Sequence, residues 1–282
     1  MERLTDWAAL WRELVECRAR GLGGDDSRNN QDDPWAGKAR EFSERVKRRW
    51  SGPDSSRQFV SSHVEPGTTV LDIGAGTGAW SILLARKAAR VTAVDASPAM
   101  ASVMHENLAA EGITNVDFVA GLWPEVSVEP HDYSLCAHAM YGSPDLPAFV
   151  EAMMRATRRT CFLMFRSPVR GGIMAEAAQH VWGQPQDSPN FMIGYNVLLQ
   201  MGLTPNVLME SGPMGSGGLW DAKTSAGMDE ALVRTKRHFG LMDSAEYDAY
   251  FLDLLGRRLK RRDGLYVWER DMRSALVYWD VT

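Results

Sequence analysis

Short apolar runs rich in β-branched residues alternate with amphipathic stretches through the middle of this chain. Between the runs, apolar side chains recur every three or four residues, as in the stripe from Met100 to Leu108. Such alternation predicts an α/β fold, with a doubly wound, mostly parallel sheet and helices on both faces. The predicted strands lie at 68–73, 90–95, 115–120, 132–137, 160–166 and 206–210.

Helical periodicity before the first strand predicts an N-terminal helical extension over residues 1–55. Asp33-Pro34 predicts the N-cap and the first position of a second helix, because proline suits the first helical turn. Trp35 and Phe42 lie on the apolar stripe of that helix. They are interpreted either as core, which apolar stripes favour, or as a lid over a bound ligand. The first helix places these side chains on one face: Trp7, Leu10, Trp11 and Leu14.

The rest of the chain divides into a core of alternating strands and helices at 56–210 and a C-terminal cap at 211–282. Helical patterns dominate the cap, which ends in an apolar run at 274–279. Its glycine-rich segment 212–218 has no lysine in P-loop position, which argues against a phosphate cradle. The basic run 257–262 is interpreted as a solvated helix face, with an anionic-substrate or RNA patch as the alternative.

Composition narrows the class of protein. The 282 residues have a formal net charge of -5, so bulk electrostatics do not favour a nucleic-acid partner. The 3 cysteines show no C-x-x-C spacing, which argues against a disulfide scaffold and against a metal site. No apolar run approaches the ~20 residues that span a bilayer, so a membrane partner is not expected. A cytoplasmic enzyme is the expectation.

The stretch Val70–Gly78 reads as a buried strand followed by a turn with glycine at three alternate positions, Gly74, Gly76 and Gly78. Glycine lets the backbone turn sharply and approach a ligand closely. Asp95 ends the next strand, close to the ~20-residue offset of a carboxylate that binds ribose hydroxyls. Together these features predict a nucleotide-binding unit.

Two cofactors fit this unit. The turn satisfies the G-x-G-x-x-G/A fingerprint of dinucleotide-binding proteins, which would make the chain an NAD-dependent oxidoreductase. Asp72, however, places a carboxylate just before the turn, where it would repel a pyrophosphate. A carboxylate suits instead the amino group and sulfonium of S-adenosylmethionine.

At this point the sequence resembles the class I S-adenosylmethionine-dependent methyltransferases of small-molecule type, over about residues 70–166. The resemblance implies the Rossmann-like methyltransferase fold, a seven-stranded sheet in which the run at 274–279 is antiparallel between the fifth and sixth strands. A helical insertion would precede that strand. The first motif implies that these residues bind the cofactor: Asp72, Gly74, Ala75, Gly76, Thr77 and Gly78.

The resemblance also implies the rest of the cofactor site. Asp95 would hold the ribose, Ala96 and Met100 would flank the adenine, and Gly121 would begin the adenine edge. Leu122 stands where the family often has an acid, so backbone groups of Leu122 and packing by Trp123 would replace that contact.

His138 follows the fourth predicted strand, whose end would face the methionine part of the cofactor. It is a candidate general base, since its ordinary pKa is near neutrality. The alternative, which we favour, is that its backbone carbonyl accepts from the cofactor amine. Tyr141 would hydrogen-bond or stack with the methyl acceptor.

The acceptor is expected to be a small molecule. The fourth strand is not followed by the Asn/Asp-Pro-Pro-aromatic motif of methylases that act on flipped bases. Methyl transfer to O, N, S or C remains open, and the sequence predicts no oligomeric state. The alternatives are the oxidoreductase and a catalytically inactive nucleoside-binding protein of methyltransferase type.

Overall fold

Seven strands form the central sheet of the protein, which is described here from a computed structural model. The described residues are 5–21, 33–168, 171–210, 224–268 and 272–281. The predicted glycine-rich segment 212–218 therefore lies outside them. The strands of this sheet are β1 (Thr69–Ile73), β2 (Arg90–Asp95), β3 (Val116–Ala120), β4 (His131–Ala137), β5 (Thr157–Pro168), β6 (Asn206–Met209) and β10 (Met272–Asp280).

Ten α-helices are described, most of them packed on the two faces of this sheet. They are α1 (Trp7–Gly21), α2 (Ala39–Trp50), α3 (Ser55–His63), α4 (Ala79–Ala85), α5 (Pro98–Ala110), α6 (Leu146–Arg155), α7 (Ile173–Trp182), α8 (Phe191–Gln200), α9 (Met228–Phe239) and α10 (Asp248–Arg258).

The strand order is β3-β2-β1-β4-β5-β10-β6, and β10 runs antiparallel to both of its neighbours. The predicted fold class is confirmed, including the last strand between the fifth and sixth. The chain winds outward from β1 through β2 to β3 and then returns to place β4 on the other side of β1. This reversal opens a crevice at the carboxyl ends of β1 and β4, where open α/β sheets bind ligands.

The central strands are buried on both faces, as their continuous apolar character predicts. Leu71 of β1, Leu135 of β4 and Phe162 of β5 have no exposed surface. This rigid centre fixes the loops that follow β1, β2 and β4. Those loops carry most of the predicted site residues.

The N-terminal extension packs against the sheet layers rather than standing apart. Trp11 of α1 is fully buried, and its Nε1 donates to the carbonyl of Ser143 at 2.9 Å. The predicted helix start at Asp33-Pro34 is wrong, because residues 34–38 form a turn and α2 begins at Ala39. Asp33 has other partners, which are described below. The division at 55 and 210 stays a prediction.

A second, small sheet was not predicted. The short strands β7 (Thr224–Ser225), β8 (Lys260–Arg262) and β9 (Leu265–Val267) pair in the order β7-β9-β8. The predicted helix face at 257–262 is therefore wrong for Lys260–Arg262, whose side chains are exposed on a strand. Helices α7, α9 and α10 pack next to this sheet around Phe251, Leu254 and Leu255, and form a separate apolar cluster.

No helix among the described residues is both long enough and apolar enough to cross a membrane.

Candidate active site

The glycine turn after β1 adopts a conformation that requires glycine. Gly74, Gly76 and Gly78 have φ values of +69°, +57° and +83°, in the left-handed region that side chains other than glycine rarely adopt. A Cβ atom on Gly74 would lie 2.1 Å from the Cβ of Ala139, and one on Gly78 would lie 2.6 Å from Met104. These two glycines thus allow close packing within the fold.

Gly76 differs from its two neighbours. The nearest atom to an added Cβ would be Cε1 of Phe42, at 3.9 Å. An added Cβ would therefore fit at Gly76 without a clash, which leaves room for a small group beside Phe42. Ala75 lies half-buried next to Gly76, and Thr77 is buried with its carbonyl accepting from Asn107 Nδ2 at 2.9 Å.

Asp95 lies at the end of β2, next to the glycine turn. Its Oδ2 accepts from the backbone N–H of Gly76 at 2.7 Å, and its Oδ1 accepts from the N–H of Ser97 at 2.9 Å. Each carboxylate oxygen keeps a further lone pair that could accept from a ligand hydroxyl. The carboxylate is thus both fixed in place and half-buried at the crevice.

Asp72 is buried beneath the turn. Its Oδ2 accepts from the hydroxyl of Ser81 on α4 at 2.6 Å. Burial, and then the charge of Asp95, raise the pKa of Asp72 to about 7. A positive charge placed nearby would favour the ionised form of this carboxylate.

The predicted adenine edge follows β3. The N–H of Gly121 donates to the carbonyl of Asp95 at 3.0 Å, which holds this edge against β2. Leu122 is 56% exposed, whereas Trp123 lies in the main core and donates from Nε1 to the carbonyl of Phe149. The side chain at the open edge is therefore that of Leu122.

Two further predicted residues, Ala96 and Met100, lie on the α5 side of the crevice. Ala96 is exposed, and Met100 is buried in the first turn of α5. The N-cap of this helix is Ser97, whose Oγ accepts from the N–H of Met100 at 3.0 Å. Helix α5 therefore begins at the rim of the crevice.

His138 follows β4 in a left-handed conformation, with φ of +61°. Its Nδ1 lies 3.4 Å from the hydroxyl of Tyr141, and its Nε2 lies 3.2 Å from the hydroxyl of Ser274 on β10. Burial, with the positive charges of Arg49 and Arg166, lowers the pKa of His138 to about 3. The imidazole is therefore neutral at physiological pH.

Arg166 and Ser274 lie next to His138 but were not recognised in the sequence. Arg166, at the end of β5, is 9% exposed, and its guanidinium lies 3.8 Å above the ring centre of Tyr141. The hydroxyl of Tyr141 accepts from the backbone N–H of Arg166. Burial raises the pKa of Tyr141, so its hydroxyl stays protonated. No local pattern marks these residues, because only the pairing of β4, β5 and β10 brings them together.

A buried ionic cluster continues this polar region to the end of β6. Arg49 at the end of α2 lies 3.5 Å from Glu210 and 4.0 Å from Asp54. Burial, and then the charge of Asp54, raise the pKa of Glu210 to about 7. The backbone N–H of Glu210 donates to the carbonyl of Ser274 at 3.1 Å, which joins the cluster to the surroundings of His138.

Comparison with known proteins agrees with this geometry. Residues 70–160 match the family model described as a methyltransferase domain. The chain is 30% identical over 126 residues to malonyl-[acyl-carrier protein] O-methyltransferase of Serratia marcescens, which covers 44% of this chain and 48% of that protein. It is also 38% identical to the Methanosarcina acetivorans protein named "Probable ribosomal RNA small subunit methyltransferase A". That match extends over 65 residues, which are 23% of this chain and 23% of that protein.

A solved structure matches over more of the chain. The YcgJ protein of Bacillus subtilis superposes with a TM-score of 0.52 at 14% identity, covering 80% of this chain and 97% of that chain. This likeness concerns the fold alone. The two curated relatives are matched over less than half of their length.

The matches, the strand order and the glycine turn define one class. Residues 70–160 match a methyltransferase domain, and the resemblance of the chain to the class I S-adenosylmethionine-dependent methyltransferases is confirmed.

Proposed function

We propose that this protein transfers a methyl group from S-adenosylmethionine to a small polar molecule. The observation that carries the proposal is the left-handed Gly76, at which an added Cβ meets no close atom, bonded to the carboxylate of Asp95 at the carboxyl ends of β1 and β2. A ribose could lie there with its hydroxyls donating to Asp95, while its adenine extends toward Leu122. Glycine at position 76 lets the ligand approach the backbone.

The buried carboxylate of Asp72 favours an adenosyl cofactor over a dinucleotide. A pyrophosphate at the turn would meet the negative charges of Asp72 and Asp95 together. An ammonium group would instead lower the pKa of Asp72 from about 7 and be held by the ionised carboxylate. The oxidoreductase is therefore the weaker alternative.

S-adenosylmethionine supplies an activated methyl group, so the protein needs mainly to bind, orient and exclude water. His138 suits an orienting role, because a group with a pKa of about 3 takes up protons poorly at neutral pH. Its ring nitrogens contact Tyr141 and Ser274, and its backbone carbonyl can accept from the cofactor amine. The acceptor would then enter as an anion or as a neutral amine.

Two features support a small, polar acceptor. The polar groups of His138, Arg166 and Ser274 lie together where β4 and β5 end and β10 begins, and we assign the acceptor to this side of the crevice. The net charge of -5 does not favour RNA, and the match to the ribosomal RNA enzyme covers only 65 residues. The Serratia relative is named for an acceptor group carried on a protein, and a malonyl group is itself small and anionic.

Calorimetric titration with S-adenosylmethionine, S-adenosylhomocysteine and NADH tests the cofactor. We expect micromolar binding of both adenosyl ligands and no heat with NADH. A Gly76→Val variant is the matched control, because its side chain would fill the space that the ligand needs. Binding of NADH alone would make the protein a dinucleotide-binding enzyme and overturn the proposal.

Turnover separates an enzyme from an inactive nucleoside-binding protein. Purified protein incubated with methyl-labelled S-adenosylmethionine and a panel of small carboxylates, phenols and amines should form S-adenosylhomocysteine with at least one of them. Binding without turnover across such a panel would favour the inactive protein.

A further inference from the structure

The carboxylate of Asp33 accepts three hydrogen bonds, two of which connect the N-terminal extension to the rim of the crevice. Its Oδ1 accepts from the N–H of Trp35 at 2.9 Å. Its Oδ2 accepts from the hydroxyl of Ser97 at 2.7 Å and from the N–H of Ala99 at 2.8 Å. Although burial acts to raise it, these bonds lower the pKa of Asp33, so the carboxylate stays ionised in the folded protein.

These bonds continue into the candidate cofactor site. Ser97 donates its backbone N–H to Asp95, and Asp95 accepts from the N–H of Gly76. Asp33, Ser97, Asp95 and Gly76 therefore form one connected network, in which Asp33 is the member contributed by the N-terminal extension. A carboxylate that acted only as a helix N-cap within the extension would not bond to Ser97 in the loop after β2.

The segment that Asp33 fixes carries two aromatic side chains. The rings of Trp35 and Phe42 pack edge to face with centres 5.1 Å apart, and they contact Met100 and Val103 of α5. From this position Phe42 approaches Gly76, where an added Cβ would lie 3.9 Å from its Cε1. Phe42 is half-buried, so part of its surface stays accessible.

We infer that Phe42 forms one wall of the adenosyl-cofactor site and that Asp33 is the residue that positions it. The inference rests on the proposed function, because the wall has a role only if an adenosyl ligand lies above Gly76. The ring would contact the ribose and the carbon chain of that ligand and shield them from water. Asp33 would position this ring without itself touching the ligand.

Asp33→Asn tests the positioning role. In asparagine one carboxylate oxygen is replaced by an NH₂ group, which would face the N–H of Trp35 or the donors of Ser97 and Ala99. We expect calorimetry to show S-adenosylhomocysteine binding weakened about tenfold, the effect of losing a charge-assisted hydrogen bond. The matched control is Asp145→Asn, since Asp145 likewise accepts from a helix N–H, that of Ala148, but pairs with Arg12 of α1 rather than bonding to Ser97.

The melting temperatures of the two variants separate positioning from stability. Both are expected to melt somewhat below the unsubstituted protein, but only Asp33→Asn should lose affinity. If Asp33→Asn lowers the melting temperature and binds S-adenosylhomocysteine as well as the unsubstituted protein, Asp33 is merely structural and the inference is overturned.

Phe42→Ala tests the wall directly, with Arg40→Ala as its control on the same helix. Arg40 pairs with Glu106 through two bonds of 2.6 Å and so also joins α2 to α5, but on the exposed side. We expect weaker binding for Phe42→Ala and unchanged binding for Arg40→Ala. Equal affinities for these two variants would refute the wall. If the unsubstituted protein binds no adenosyl ligand, the proposed function fails first, and this inference with it.

Discussion

The Nε2 atom of His138 lies 3.2 Å from the Oγ atom of Ser274, although the two residues belong to distant parts of the chain. The contact exists because β10 inserts beside β5, which brings the start of the last strand to the loop after β4. It places the imidazole in a polar but enclosed setting. There a neutral ring with a defined orientation is more stable than a charged one.

His138 should therefore not titrate in the physiological range. Its pKa of about 3 predicts that its ring protons, followed by NMR, keep constant chemical shifts between pH 5 and 9. Once an acceptor is known, His138→Gln should retain turnover with the same pH dependence as the unsubstituted enzyme. A ring that titrates near pH 6.5 would support His138 as a general base. So would a pH profile of turnover that loses its acidic limb in His138→Gln.

Gly74 and Gly76 should respond differently to alanine. Gly74→Ala brings its Cβ to 2.1 Å from that of Ala139, so we expect a clear loss of stability. Gly76→Ala meets no close atom and costs only the left-handed backbone, about 1–2 kcal/mol. Its cofactor affinity should nevertheless fall. Urea denaturation and calorimetry measure the two effects, and a Gly76→Ala variant that binds normally would contradict the placement of the ligand.

Asp95→Ala should weaken binding of S-adenosylhomocysteine by about 1.5–3 kcal/mol, because charge-assisted hydrogen bonds to the ribose are lost. The exposed Asp117 on the neighbouring strand β3 offers a control of the same residue type. Asp117→Ala should bind as the unsubstituted protein does. Equal affinities for both variants, measured by calorimetry, would remove Asp95 from the site.

Asp72 should make the folded protein less stable as the pH rises. Its pKa is about 7 in the fold and close to 4 in the unfolded chain, so the folded state binds the proton more tightly. The free energy of unfolding should therefore decrease between about pH 4.5 and pH 7. Glu210, whose pKa is also raised to about 7, adds to the same trend.

Chemical denaturation at several pH values measures this trend. Asp72→Asn should reduce the slope, since asparagine can still accept from Ser81 and carries no titrating group. Adding Glu210→Gln should reduce the slope further. A slope unchanged in both variants would mean that neither carboxyl group keeps its proton in the folded protein.

The parallel core could be predicted because its information is local. β1 to β5 are apolar runs separated by amphipathic helices, and the spacing of Gly74, Gly76 and Gly78 identifies the glycine turn. The predicted end of β5 at residue 166 falls short of Pro168, since pairing with β10 extends the strand beyond its most apolar part.

The surroundings of the site could not be predicted because they depend on contacts between distant residues. Asp33 looked like a helix cap, since a carboxylate before Pro34 is typical of one. Its strongest partners are instead Ser97 and Ala99, which only the packing of the extension on α5 brings near. Likewise, Trp123 was assigned to the adenine edge by its place in a motif, yet its indole finds a hydrogen bond inside the core.

The place of β10 in the sheet affects when the sheet can be completed during synthesis of the chain. Its neighbours β5 and β6 are synthesised first, yet they cannot pair with each other, because β10 lies between them. While the ribosome adds the cap residues, the sheet of the nascent chain is therefore incomplete. The edges of β5 and β6 that later pair with β10 are still unpaired. Such edges promote aggregation. The period before β10 emerges is thus when a chaperone would matter most to this protein.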